Sequence, residues 1–106
     1  MFGFLKKLFQ DDTTELTAAI SQGGTIIDVR SAAEFSGGSA PGAINYPHDT
    51  IGKHAKKIAK MPQPIILCCA SGMRSGVALG TLKSAGITNA INGKTHGRVA
   101  QAAAKK

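Results

Sequence analysis

Residues 64–75 read PIILCCASGMRS, and this stretch decides the fold. Residues 64–68 form a compact apolar run that predicts a buried strand. The polar turn 69–74 follows, and the pattern then predicts a helix over 75–85 that Gly86 ends. A strand, a tight polar loop and a helix in this order indicate one unit of a parallel α/β sheet.

The flanking sequence alternates between helices and strands in the same way. A first helix is predicted from Thr13 or Thr14, with a hydroxyl cap, and the pair Gly23-Gly24 follows it. The other predicted elements are a strand over 25–29, a helical turn near 32–35 within the loop 31–42, a strand over 43–45, a helix from Asp49 or Thr50 to about Lys60, a strand over 89–91 and a terminal helix over 99–104. The alternation predicts an α/β fold, a small parallel β-sheet flanked by helices on both faces.

Length and composition indicate one globular domain, since the chain has 106 residues of which 42% are hydrophobic. We assign residues 1–12 to an N-terminal amphipathic or flexible segment and residues 13–106 to the domain. Phe2, Leu5 and Phe9 can share one side of a short helix, for which we favour packing or disorder over membrane contact. No apolar run approaches the ~20 residues of a membrane span, and the N-terminus lacks the order of a secretory signal. We therefore expect a soluble, cytoplasmic protein.

The formal charge of +7 attracts anions of any size but does not choose among them. The basic residues are scattered, and the chain has no Trp and one Tyr, whereas nucleic-acid surfaces interleave basic with aromatic residues. We therefore expect no nucleic-acid partner. His48, His54 and His96 have no ligand spacing with one another or with the cysteines, so we expect no metal, and no cofactor is expected either.

Cys69 is the candidate nucleophile, because it lies where the carboxyl end of a buried strand meets a helix, the place where open α/β sheets bind ligands. Amides of the loop 69–74 that converge on the sulfur, the helix dipole and Arg74 would all lower the pKa of its thiol. Gly72 permits the positive φ of such a loop, and Ser71 and Ser75 can orient the sulfur or cap the helix. On these residues alone, a cysteine buried for packing fits the pattern equally well.

Four ordered motifs resemble those of the rhodanese domain family, and the resemblance covers residues 14–91. The motifs are Ile27-Asp28-Val29-Arg30, Glu34-Phe35, Ala40-Pro41-Gly42-Ala43-Ile44-Asn45-Tyr46-Pro47 and Cys69-Ala70-Ser71-Gly72-Met73-Arg74-Ser75. The resemblance implies a rhodanese-like fold and a sulfurtransferase. Its catalytic Cys69 would receive sulfur from thiosulfate or a persulfide donor and pass it to a thiol or cyanide. The implied substrate-binding residues are Ala70, Ser71, Gly72, Met73, Arg74 and Ser75.

The chain also departs from the family's pattern. Ala70 stands where many thiosulfate-using members have Arg or Lys, which weakens the case for a dianionic donor and makes a persulfide donor a serious rival. Ser39 replaces a frequent His, and residues 92–97 replace the usual Gly-Gly and Trp, so the last helix is expected to pack differently. The implied partners are a small-molecule sulfur donor and a thiol acceptor, which can be a sulfur-accepting protein.

Two other functions compete with sulfur transfer. Counted from Cys68, five residues precede Arg74, which is the spacing of the cysteine phosphatases, although Leu67 replaces their usual His and no leaving-group acid is evident. A non-catalytic sulfur-sensing or interaction module is the second alternative. We interpret Cys68 as a buried structural thiol, and Asp28 and Arg30 as structural hydrogen-bonding residues that tie the first loops together.

Overall fold

The computed structural model describes residues 12–105, which form a four-stranded parallel sheet with helices on both faces. The strand order is β2-β1-β3-β4. The strands are β1 (Thr25–Asp28), β2 (Ile44–Asn45), β3 (Ile65–Cys69) and β4 (Ala90–Thr95). The predicted α/β class and sheet type are confirmed. The predicted N-terminal segment, except for Asp12, lies outside the described residues.

Among residues 12–105, five α-helices precede, connect or follow these strands. They are α1 (Thr14–Ser21), α2 (Ala32–Ser36), α3 (Ala55–Ile58), which continues a 3-10 turn at Ile51–His54, α4 (Met73–Ser84) and α5 (His96–Ala104). Helices α1 and α5 contact each other, and α4 contacts the 3-10 turn. Within residues 12–105, no helix is long and apolar enough to cross a membrane.

Strand β3 is buried along its whole length, and its side chains alternate between two separate cores. Ile65, Leu67 and Cys69 belong to the core beneath α3 and α4, with side chains such as Ile58 and Leu82. Ile66 and Cys68 belong to the core beneath α1 and α5. The two adjacent cysteines therefore point to opposite faces of the sheet.

A bulge interrupts the pairing of β3 with β4. Leu67 pairs with Asn92, but the next residue of β3 pairs with Lys94, so Gly93 is the extra residue. A Cβ on Gly93 would lie 2.7 Å from a methyl group of Val99 in α5, and Lys94 has a φ of 70°. The segment that stands in place of the usual Gly-Gly and Trp thus still forms part of a strand. The bulge in this strand lets α5 pack closely.

Several predicted boundaries and caps are wrong. Helix α4 begins at Met73 rather than at residue 75. Strand β4 begins at Ala90 and helix α5 begins at His96, and together they cover residues that the pattern left as loop. Thr13 makes no side-chain cap to α1, because the carboxylate of Asp12 accepts a hydrogen bond from the Thr14 N–H instead.

The helix predicted over residues 49–60 also differs from expectation. It starts as a 3-10 turn, has no side-chain cap from Thr50, and its α-helical part ends at Ile58. Its inward residues Ile51 and Ile58 are fully buried, as the periodicity predicted. The element therefore fills its place in the core in spite of its irregular first turn.

Asp28 and Arg30 form a buried ion pair that ties the first loops together. The Arg30 guanidinium donates to the Asp28 carboxylate at 2.8 Å and to the Gly38 carbonyl at 2.6 Å. The Ser39 hydroxyl donates to the same carboxylate at 2.6 Å. Burial alone would raise the pKa of Asp28, but these hydrogen bonds hold it below its ordinary value. The pair is structural, as predicted, and Ser39 joins it.

Candidate active site

Cys69 is the last residue of β3 and lies directly before the loop that leads into α4. It is fully buried in the core beneath α4, and the carboxyl ends of the parallel strands meet at this edge of the sheet. Residues 69–74, called here the cysteine loop, fold back over the sulfur. The sulfur therefore lies at the floor of the loop.

Hydrogen-bond donors from the loop and from α4 surround the Cys69 sulfur. The Gly72 N–H donates to Sγ at 2.9 Å and the Ser75 N–H at 3.5 Å, while the Ser75 hydroxyl oxygen lies 3.4 Å away. Burial raises the pKa of Cys69, but the bonds from Ser75, Gly72 and Ser71 more than offset this and lower the pKa to about 7. A substantial fraction of the thiol is therefore ionised at neutral pH.

Gly72 makes the close turn of the loop possible. Its φ of 98° lies in the left-handed region, where residues with a Cβ are strained, and it is the N-cap of α4. This conformation directs its N–H at Cys69 and places its α-carbon against Lys94 of the β4 bulge, whose Cβ would lie 3.4 Å from a Cβ on Gly72. The positive φ predicted for Gly72 is confirmed.

Arg74 of α4 is paired with Glu34 of α2. Its guanidinium makes two hydrogen bonds to the Glu34 carboxylate, at 2.7 and 3.0 Å. The pair lowers the pKa of Glu34 to about 2, chiefly through the hydrogen bonds from Arg74. The causes that lower the pKa of Cys69 most are hydrogen bonds, and the charge of Arg74 interacts with Cys69 more weakly.

Cys68 has the opposite environment from its neighbour. It is a free, fully buried thiol beneath α1 and α5, and burial, followed by the nearby charge of Asp28, raises its pKa to about 12. Because its side chain points away from the cysteine loop, a seven-residue cradle counted from Cys68 does not surround its sulfur. Its environment is that of a structural thiol.

The remaining predicted site residues occupy the rim of the loop. Ala70 is exposed, Met73 is 78% exposed, and the Ser71 hydroxyl accepts a hydrogen bond from the Met73 N–H at 3.4 Å. Beside them, Ser71 and Lys94 line a surface cavity of about 530 Å³. The structure thus brings Gly72 and Ser75 onto the sulfur and leaves Ala70, Met73 and Arg74 around the entrance.

The sequence patterns did not indicate two residues that support the cysteine loop. Asn92 of β4 accepts from the Ser75 hydroxyl at 2.7 Å and donates to the Gly72 carbonyl at 3.1 Å. Glu34 holds Arg74 and also completes a capping box with Ser31 at the start of α2. The spacing Ser-x-x-Glu signals that cap, whereas no local pattern signals the contacts of Asn92.

Among residues 12–105, no group of three or more His, Cys, Asp or Glu side chains is arranged to hold a metal ion. The donors at the site are backbone amides and a hydroxyl, which stabilise a sulfur anion. The chemistry that this arrangement supports is nucleophilic attack by the Cys69 thiolate.

Comparisons with known proteins agree with the fold. Residues 12–94 match the rhodanese-like domain family. The uncharacterized Bacillus subtilis protein YqhL is 39% identical over 67 residues, which are 63% of this chain, and the chain spans about half, 52%, of that relative. A human single-domain sulfurtransferase has a similar structure, with a TM-score of 0.63 and 24% identity over 78% of this chain and 84% of that one. A rhodanese from E. coli, solved with anions, has a TM-score of 0.64 and 25% identity over 71% of this chain and 89% of that one.

Proposed function

Because this chain belongs to the rhodanese-like domain family, we propose that it is a sulfurtransferase whose reaction passes through a persulfide on Cys69. The observation that supports this most directly is the ring of donors around one buried sulfur, with the Gly72 N–H at 2.9 Å. The relatives described as a rhodanese and a sulfurtransferase support the same reaction class.

In the first half of the reaction, the Cys69 thiolate attacks the outer sulfur of thiosulfate. A new S–S bond forms, the S–S bond of the donor breaks, and sulfite leaves with the electron pair. The negative charge moves to the terminal sulfur of the persulfide, and the amides of the cysteine loop stabilise it. A persulfide donor reacts in the same way, with a thiolate as the leaving group.

In the second half, a nucleophile removes the terminal sulfur. Cyanide attacks that sulfur, the S–S bond of the persulfide breaks, and thiocyanate leaves while the electron pair returns to Cys69 as a thiolate. A thiolate acceptor, on a small molecule or on a protein, becomes a persulfide by the same step. Neither half needs a general acid, which agrees with a site built from amides and a hydroxyl.

The entrance to the loop bears on the choice of donor. Ala70 provides no cation there, and the guanidinium of Arg74 is held by Glu34. Lys94 lies against Gly72 from the β4 side and brings one positive charge to the same edge. We propose that thiosulfate is a weak donor and that a persulfide of a small thiol is the better one.

Kinetics on two matched variants test the proposal. Cys69→Ser should abolish cyanide-dependent sulfur transfer, because a hydroxyl is not ionised at neutral pH and cannot carry the sulfur. Cys68→Ser should keep the transfer and lose stability, because it places a hydroxyl among apolar side chains.

The same two variants test the competing classes. A cysteine phosphatase working from Cys68 predicts hydrolysis of an aryl phosphate that survives Cys69→Ser and disappears in Cys68→Ser. A non-catalytic module predicts no turnover by the unmodified protein with thiosulfate or with a small-molecule persulfide. Either outcome would overturn the proposed function.

A further inference from the structure

Asn92 connects three parts of the site through one side-chain amide. Its Oδ1 accepts from the Lys94 N–H at 2.9 Å and lies 2.7 Å from the Ser75 hydroxyl, and its Nδ2 donates to the Gly72 carbonyl at 3.1 Å. The amide thus joins the β4 bulge to the cysteine loop and to the first turn of α4. Gly72 and Ser75, which both contact Cys69, are each hydrogen-bonded to this amide.

The partners of Asn92 leave only one orientation for its amide. A backbone N–H can only donate, so the atom that faces Lys94 must be the oxygen, and a carbonyl can only accept, so the atom that faces Gly72 must be the nitrogen. The 2.7 Å contact between Oδ1 and Ser75 therefore requires that Ser75 donates its hydroxyl proton to Asn92.

Ser75 has one hydroxyl proton and two neighbours that can accept it. While that proton points at Asn92, the 3.4 Å contact with Cys69 can form only if the cysteine is a thiol that donates to the Ser75 oxygen. We propose that Asn92 is a positioning residue that holds the Ser75 proton while Cys69 is a thiol and releases it to the sulfur when Cys69 ionises. Ionisation sends the thiol proton to solvent, and the Ser75 hydroxyl then turns from Asn92 to the thiolate.

Two of the Asn92 contacts decide how removing its amide changes the ionisation of Cys69. The Gly72 carbonyl also accepts from the Gly76 N–H at 3.1 Å, so the loop keeps a helical hydrogen bond when the Asn92 amide is removed. The contact between Asn92 and Ser75 favours the thiol form alone. Removing Asn92 therefore frees Ser75 to donate to Cys69 and favours the thiolate.

Charged groups from several elements surround the site, and a substitution of Asn92 leaves them in place. Lys94 of β4 lies beside Gly72, Arg74 on α4 is paired with Glu34 of α2, and Asp28 at the end of β1 is paired with Arg30. Cys68 adds no charge near neutral pH, since its pKa is raised to about 12. Substituting Asn92 removes its three hydrogen bonds without changing any of these charges.

The test measures the pKa of Cys69 from the pH dependence of its alkylation by iodoacetamide. Asn92→Ala should lower that pKa by about 0.5 to 1 unit, the equivalent of one neutral hydrogen bond, so the thiolate fraction at pH 6 rises roughly three- to fivefold from a starting pKa of about 7. Ser75→Ala should raise the pKa, and the effect of Asn92→Ala should vanish in the Ser75→Ala background. An unchanged or raised pKa in Asn92→Ala, or a fall that persists without Ser75, would overturn the proposal.

Asn45→Ala is the matched control. Its amide donates to the carbonyls of Asp28 and Arg30, both at 3.0 Å, so the variant loses two similar bonds and some stability while the pKa of Cys69 stays unchanged. Asn92→Val gives the same prediction with a side chain that favours strands, should Asn92→Ala be too unstable to measure. The role of Asn92 in transfer rests on the proposed function. The alkylation readout does not, so a protein that transfers no sulfur can still pass or fail this test.

Discussion

Gly72→Ala is expected to destabilise the protein through its backbone conformation alone. Gly72 has a φ of 98°, and holding an alanine in the left-handed region costs about 1 to 2 kcal/mol. The smaller conformational freedom of the unfolded alanine chain offsets about 0.4 to 1 kcal/mol of this. The new Cβ would lie 3.4 Å from the Lys94 Cβ, which is ordinary contact, so no clash adds to the cost. The net loss is about 1 kcal/mol.

Urea unfolding measures this loss directly. With a slope of about 1 to 3 kcal/mol per molar urea, the midpoint should fall by roughly 0.5 M. Gly80→Ala is the control, because Gly80 lies within α4, a Cβ there meets no atom within 4 Å, and alanine is the better helix former by about 1 kcal/mol. A Gly72→Ala protein that is as stable as the unmodified one would refute the account of the loop. We also expect its Cys69 pKa to rise above about 7, because the Gly72 N–H no longer points at the sulfur as well.

Three other changes have expected outcomes. Ala70→Arg should lower the apparent thiosulfate constant roughly tenfold in the cyanide assay, since a charge-assisted contact gives about 1.5 to 3 kcal/mol before entropic costs; an unchanged constant would mean that the entrance is already positive enough. Asp28→Asn should destabilise the fold by about 3 kcal/mol in urea unfolding, because it leaves the buried Arg30 charge unpaired; a loss below about 1 kcal/mol would contradict that burial. Unfolding between pH 7 and 9 should show stability rising by roughly 2 kcal/mol, since the pKa of Cys69 falls from 9.0 unfolded to about 7 folded and its contribution is lost as pH drops through 7. Above pH 9 the trend should reverse, because the pKa of Cys68 is raised to about 12, and Cys69→Ser should remove the rise below pH 9.

Local sequence patterns predicted the elements that are buried or that end at a glycine. The apolar run at Ile65–Cys69 is a buried strand, and Gly86, with a φ of 91°, follows the last turn of α4. These features depend on side chains within a few residues of one another. Pattern and turn chemistry therefore carry the information for them.

The predicted boundaries of strands and helices were wrong where a glycine or a polar residue continues the element. Gly93 and Lys94 read as a loop, but a strand with a bulge accommodates both, and Lys94 adopts a positive φ that the pattern does not reveal. Helix α5 begins three residues before its first predicted residue because Thr95 caps it through the Arg98 N–H. Gly97, a poor helix former, concealed that start.

The site shows the same division between local and distant interactions. The pattern could place Cys69 and Gly72 in one loop because strand, loop and helix are adjacent in the sequence and the motif is compact. The partners of Arg74 and Ser75 lie 40 and 17 residues away, on α2 and β4, and only the folded sheet brings them together. The sequence therefore indicates which cysteine sulfur the backbone amides surround, but not which side chains hold those amides in place.

The central claim is that Cys69 carries the transferred sulfur, and intact mass spectrometry tests it most directly. After incubation with thiosulfate or with a small-molecule persulfide, the protein and its Cys68→Ser variant should each gain the mass of one sulfur atom, and a reductant should remove it. Cys69→Ser should gain nothing under the same conditions. A reducible sulfur that appears on Cys69→Ser, or an unchanged mass of the unmodified protein with both donors, would contradict the account.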